Sequence, residues 1–184
     1  MSSTAMSSED IAVLFAGARD KIPSFSGQPT DQSIHDVKEV LLPILLEIPY
    51  DRSKGKHNLV GLLVDSADYI ADYGAGEALP RPKRLGAYPA NVPGTVTAGE
   101  QAEIVAKHRA SQDDFAVYDA TERELRRFLL DTFDETYYLE LKDSKTYFTR
   151  VTPAEIISHL QKGCLGRHAI DVLALTDQLR GCHV

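Results

Sequence analysis

Four places in this chain hold residues whose types and spacing invite chemistry. Asp65, Asp68 and Asp72 recur at three- and four-residue steps, so a helix would set three carboxylates on one face, as a hard cation requires. Val64-Asp65-Ser66-Ala67 also approaches the Asp-[Ser/Thr]-Gly loop in which two aspartates share a proton, but alanine stands where the tight loop needs glycine. Lys54-Gly55-Lys56 invites a phosphate, yet a phosphate-binding loop needs an earlier glycine and a hydroxyl after the lysine, and neither is present. Cys164, His168, Cys182 and His183 offer four metal-ligand side chains at spacings that match no usual structural zinc site. The fourth place, Arg81-Pro82-Lys83-Arg84, is the one dense basic cluster, and a solvated loop of this kind can meet RNA, another polyanion or an acidic partner surface. No serine or cysteine has a legible triad, and His108 and His159 read as hydrogen-bonded histidines on apolar faces. The expectation is no catalytic residue, no cofactor and no metal, with Arg81, Lys83 and Arg84 as the contact for a polyanion or partner.

Caps and periodicity predict the elements that must position these groups. A short helix opens at Ser8, with Glu9 and Asp10 at its positive end and Leu14 and Phe15 on its docking face. Thr30 or Asp31 caps a second helix carrying Ile34, Val37, Leu41, Leu42, Leu45 and Leu46, with a kink or restart expected at Pro43. Leu59, Leu62, Leu63, Ala67, Ile70 and Ala71 form a helical stripe from Asn58, ended by Gly74 or Gly76. Residues 75–96, with Pro80, Pro82, Pro89 and Pro93, form a proline-rich loop.

Thr97 and Glu100 make a capping box, and no proline follows until Pro153, which predicts one long helix over 98–141. Its apolar stripe is Leu125, Phe128, Leu129, Leu130, Phe133, Tyr137 and Leu141, while Glu122, Arg123, Arg126, Arg127, Asp131 and Glu135 fill the remaining surface. Ile104, His108, Ser111, Phe115 and Tyr118 extend a slowly drifting line through Glu122 toward a more polar first half. A polar connector, 142–150, leads to Thr152-Pro153-Ala154-Glu155, the start signal of a helix over 153–162. Ile170, Leu173, Ala174 and Leu179 predict a last helix ended by Gly181. The fold class is all-α, about six helices packed around the long one, as a single domain over 1–184 with a loose segment at about 1–7.

Composition limits the function classes. With 43% hydrophobic and 26% charged residues the chain has what a packed core needs, and nothing points to general disorder. A formal charge of −7 excludes a surface that binds nucleic acid throughout, because phosphate affinity comes from lysine and arginine. Tryptophan is absent, which removes the strongest stacking platform for single strands. No apolar run reaches the roughly 20 residues that cross a bilayer. Two cysteines near the C-terminus and a beginning without a basic-then-apolar layout predict a cytoplasmic protein with free thiols and no membrane partner.

The order of elements carries a resemblance. An amphipathic helix, then Tyr137-Tyr138-Leu139-Glu140-Leu141-Lys142-Asp143, a Tyr147-Phe148-Thr149 turn and Val151-Thr152-Pro153-Ala154-Glu155-Ile156-Ile157-Ser158-His159-Leu160 resemble the capsid region of Gag polyproteins from copia-type LTR retrotransposons. Phe25-Ser26-Gly27-Gln28-Pro29-Thr30, Ile48-Pro49-Tyr50-Asp51 and Gly55-Lys56-His57-Asn58-Leu59 are similar to Gag-like proteins of such elements in single-celled algae. The likeness spans about residues 22–180. It lacks a C-x2-C-x4-H-x4-C zinc knuckle and a basic tail, so it implies a capsid portion without a nucleocapsid part. The resemblance implies a self-assembling structural subunit of an element or a domesticated derivative, whose partner is itself and, weakly through the basic loop, RNA or another polyanion. The alternative is an intracellular helical adaptor that binds a protein partner; a small-molecule enzyme ranks below both.

Overall fold

In the computed structural model the residues described are 6–22, 25, 27–50, 58–73, 78–87 and 97–164. They are mostly helical, with no strand among them, in agreement with the all-α expectation. Helix α1 spans Ser8–Arg19 and α2 spans Asp31–Glu47. A 3-10 turn at Leu59–Leu62 leads into α3, Ser66–Tyr73. The long helix α4 covers Ala98–Thr132, and α5 covers 153–164. The expected last helix, with Cys182, His183 and His168, lies outside the described residues, as does Lys54-Gly55-Lys56.

Each helix starts where a side chain can satisfy its orphan amides. Ser7, one residue before the expected start, forms a capping box with Asp10, Thr30 does so with Ser33, and Thr97 with Glu100. Thr152 accepts from the Glu155 amide at 3.2 Å, and the Glu155 carboxylate accepts from the Thr152 amide at 2.7 Å, which fixes the start of α5 as predicted. Pro43 does not break α2. It sits on the exposed face, with Leu41 and Leu45 buried on the other.

Two expected helices are shorter than their apolar stripes. The stripe from Asn58 is split, because Asp65 accepts from the amides of Ala67 and Asp68 at 2.9 and 3.0 Å and so starts α3 afresh. The long helix ends at Thr132 rather than at 141. Phe133 turns to extended geometry and inserts into the core, stacked on Phe25 at 5.8 Å. Asp134 then caps a 3-10 turn at Glu135–Tyr137, and a second follows at Leu139–Leu141. The Tyr138 hydroxyl reaches back to the Leu130 carbonyl at 2.6 Å, one of the last-turn acceptors that the helix leaves open.

The core is built from Ile11 and Phe15 of α1, Val37 and Leu41 of α2, Leu59 and Tyr69 around the 3-10 turn, Leu125 and Phe128 of α4, and Ile156 and Leu160 of α5. Phe15 meets Phe128 edge-on at 6.3 Å, and Arg19 pairs with Asp131 at 2.6 Å. Ser8 shares a cleft with Ala116 and Asp119, so α1 runs parallel to the second half of α4. That second half is the centre of the fold. From Ala98 to Lys107, by contrast, every residue of α4 is exposed.

Candidate functional site

Residues 78–87, the described part of the proline-rich loop, lie as an extended strap along α4. The strap begins where Leu79 covers Gly61 so closely that a Cβ there would meet the Leu79 Cβ at 2.6 Å. Arg81 then pairs with Glu122 at 3.0 Å and lies over the Tyr118 ring at 6.0 Å. At the far end, the Gly86 carbonyl accepts from Gln112 Nε2 at 3.2 Å and lies 3.1 Å from His108 Nε2. Since Arg81 meets Glu122 and Gly86 meets His108, the strap runs antiparallel to the helix. His108 is thus hydrogen-bonded as expected, but to the strap and at the edge of the core.

Glu122 is the unexpected member. The sequence places it both among the surface charges and on the drifting stripe; its side chain is only 5% exposed, and it holds Arg126 at 3.6 Å as well as Arg81. Arg126 donates through Nε to the Val151 carbonyl at 2.6 Å, so one carboxylate joins the strap, α4 and the approach to α5. The Glu122/Arg126 spacing of four residues is the signal that sequence offers for such a pair; the partner in the strap has no local signature. Tyr118, beside them, has its hydroxyl pKa raised, by burial first and by the charge of Glu122, with Arg81 opposing.

An open cleft of about 340 Å³ beside this cluster is lined by Asp65, Tyr118, Glu122, Glu155 and Ser158. Its three carboxylates are the nearest approach to an acid–base constellation, and each is engaged in holding the fold. Asp65 caps α3, Glu155 caps α5 and Glu122 binds two arginines. Asp65 is a helix cap rather than part of a protease-like loop. Asp68 is exposed and does not line the cleft. Among the described residues no group of three or more His, Cys, Asp or Glu side chains could hold a metal ion. Cys164 is buried, its Sγ donating to the Pro29 carbonyl at 3.2 Å, and His159 is half-buried beside a cleft formed with Arg150 and Lys162.

No protein-family model, curated protein or solved structure matches the chain. The surface itself therefore supplies the argument for function. Of the basic cluster, Arg81 is occupied by Glu122, while Lys83 and Arg84 are exposed; Arg84 borders the cleft that also receives Arg123. No helix among the described residues is long and apolar enough to cross a membrane. Among the described residues, large apolar side chains nevertheless reach solvent on several elements, Val13 of α1 at 70% and Leu46 of α2 at 47% among them. Ile104 and Val105 on the first half of α4 are 40% and 42% exposed, and Leu139 and Tyr147 on and beside the connector are 49% and 63% exposed.

The connector folds into a closed turn. Asp143 accepts from the amides of Lys145 and Thr146 at 2.9 and 2.7 Å, and the bond pair between Asp143 and Tyr147 closes the turn. Tyr147 adopts φ 53°, a left-handed conformation that a tyrosine rarely takes. Lys142, paired with Glu135 at 2.6 Å, lies near both the Tyr147 and Phe148 rings. The closed turn leaves the Tyr147 side chain on the surface.

Proposed function

We propose that this protein is a structural subunit that assembles with copies of itself, in the manner of the copia-type Gag capsid region it resembles, and that it works without catalysis. The observation that carries this reading is the projecting half of α4. Ile104 and Val105, exposed there among the described residues, would gain packing from another molecule. The Leu139 and Tyr147 surface supplies a second, separate apolar contact, and two unlike contacts per subunit are what extended assembly needs.

Each contact is small, which suits shells and lattices, since many weak interfaces close reversibly. Subunits carrying −7 repel one another, so added salt favours assembly by screening over a Debye length of roughly 10 Å at 0.1 M. The test is electron microscopy and light scattering of purified protein across concentration and salt. Growth into particles or higher oligomers as both rise is the expected result. A protein that stays monomeric throughout contradicts the proposal and leaves the adaptor reading.

Lys83 and Arg84, the exposed remainder of the basic cluster, are the proposed weak contact for RNA or another polyanion. Replacing both by alanine should abolish a salt-sensitive shift with RNA while leaving the helical signal intact. An unchanged shift assigns the contact elsewhere.

A further inference from the structure

The cleft of about 340 Å³ between α3, α4 and α5 holds hydrogen-bond acceptors that the fold leaves idle, and we propose that it binds a guanidinium group on an apolar stem, the head of an arginine side chain. This stands apart from the self-assembly reading and needs no second copy. The argument starts at the buried floor. Tyr118 lines the cleft and is 7% exposed, yet among the described residues its hydroxyl makes no hydrogen bond. Its pKa is raised by burial first and then by the charge of Glu122, which lines the same cleft, so the hydroxyl lies on the cleft side of the ring. A buried hydroxyl without a partner destabilises the fold, and a ligand that reaches it removes the penalty.

The rim supplies further acceptors. Asp65 commits one oxygen, Oδ1, to the amides of Ala67 and Asp68, and Glu155 commits Oε2 to the amide and hydroxyl of Thr152. Asp65 Oδ2 and Glu155 Oε1 take no hydrogen bond among the described residues. Ser158, three residues after Glu155 and so on the same face of α5, adds a hydroxyl.

Charge decides what fits. Asp65, Glu122 and Glu155 set three negative charges against the two positive charges of Arg81 and Arg126, which Glu122 holds, so one negative charge is left for a ligand. A metal ion does not match, because among the described residues no group of three His, Cys, Asp or Glu side chains could hold one. An organic cation with N–H donors does. Guanidinium offers five donors in one plane to acceptors on floor and rim, and it is more weakly hydrated than ammonium, so it loses less on entering beside Tyr118. Val64 on the wall gives the stem an apolar surface.

The test is an NMR titration of the full chain with an N-acetylated, amidated arginine, followed at the amides of Gly61, Ser66 and Ser158. Saturable shifts at these amides are expected, with the matching lysine derivative binding about tenfold more weakly. Tyr118→Phe keeps the ring and should weaken binding by about tenfold. Asp65→Asn and Glu155→Gln keep the helix caps, since the amide oxygen accepts in the same place, and each should weaken binding by about threefold or more. Asp68→Asn, outside the cleft, should change nothing. Circular dichroism of each variant confirms that the fold is kept. Shifts that appear without the compound as protein concentration rises, and that the compound displaces, identify an arginine of a second copy as the source; binding without such shifts identifies a free or peptide-borne arginine. No shift at these amides, affinity unchanged in the three cleft variants, or equal affinity for the lysine derivative overturns the proposal.

Discussion

The two halves of α4 belong to one helix and obey different physics. From Val117 to Thr132 the helix is held by what surrounds it: Leu125, Phe128 and Leu129 are fully buried, and Glu122 and Arg126 form an internal ion pair. From Ala98 to Lys107 it is held by its own sequence, through the Thr97/Glu100 capping box and the Glu103–Lys107 pair. Local terms of that size are each worth a fraction of a kcal/mol to about 1 kcal/mol. They start a helix without anchoring it. The contrast separates the part of the helix that makes the core from the part that local terms alone hold helical.

Substitutions that treat the halves unequally break the comparison most sharply. Phe128→Ala opens a cavity opposite Phe15 and should cost about 3–5 kcal/mol in urea denaturation. Ile104→Ala on the same helix should stay within about 0.5 kcal/mol in dilute solution. Equal losses would mean that the first half is part of the core. The arginines that meet Glu122 differ in the same way. Arg126→Ala leaves a buried carboxylate short of its inner partner and should cost about 3 kcal/mol. Arg81 has a side chain 60% exposed, so Arg81→Ala should cost less than about 1 kcal/mol and chiefly loosen the strap, read as faster exchange of its amides.

The smallest effect concerns the two ends of the helix. The Tyr138 hydroxyl closes the C-terminal end, and its pKa is pushed up from 10.0 to about 12, by burial first and then by the charges of Glu135, Asp131 and Asp134. The folded state holds this proton more tightly than the unfolded chain does, so the stabilisation is complete below pH 10 and is lost as pH rises from 10 to 12. Tyr138→Phe should cost about 1 kcal/mol at neutral pH and flatten that alkaline decline. Thr97→Ala at the other end should lower helicity without moving the urea midpoint. A shifted midpoint would join the first half to the cooperative unit.

Helix starts were legible because their signals are local: Thr30, Thr97 and Thr152 each stand three residues before the side chain that returns the bond. The end of the long helix was not. Thr132 is followed by residues that continue the apolar spacing, and only the docking of Phe133 against Phe25 and the Asp134 cap divert the chain. At Pro43 the expected restart does not occur, and α2 runs through the proline on its exposed face. Of the candidate site, Arg81, Lys83 and Arg84 were visible as a cluster. Their division into one clamped and two exposed cations was not, because it depends on a carboxylate in another element. Tyr147 at positive φ carries no sequence signal, as any residue but glycine is a surprise there.

Hydrogen exchange along α4 tests the account most directly. In dilute solution the amides of 117–132 should exchange only through global unfolding, while those of 98–107 exchange at least about 100-fold faster by local opening. Raising the protein concentration should then slow 98–107 and leave 117–132 unchanged, as a second copy covers the exposed half. Uniform protection along the helix in dilute solution would contradict the division, and so would a first half whose exchange ignores concentration in samples that have assembled.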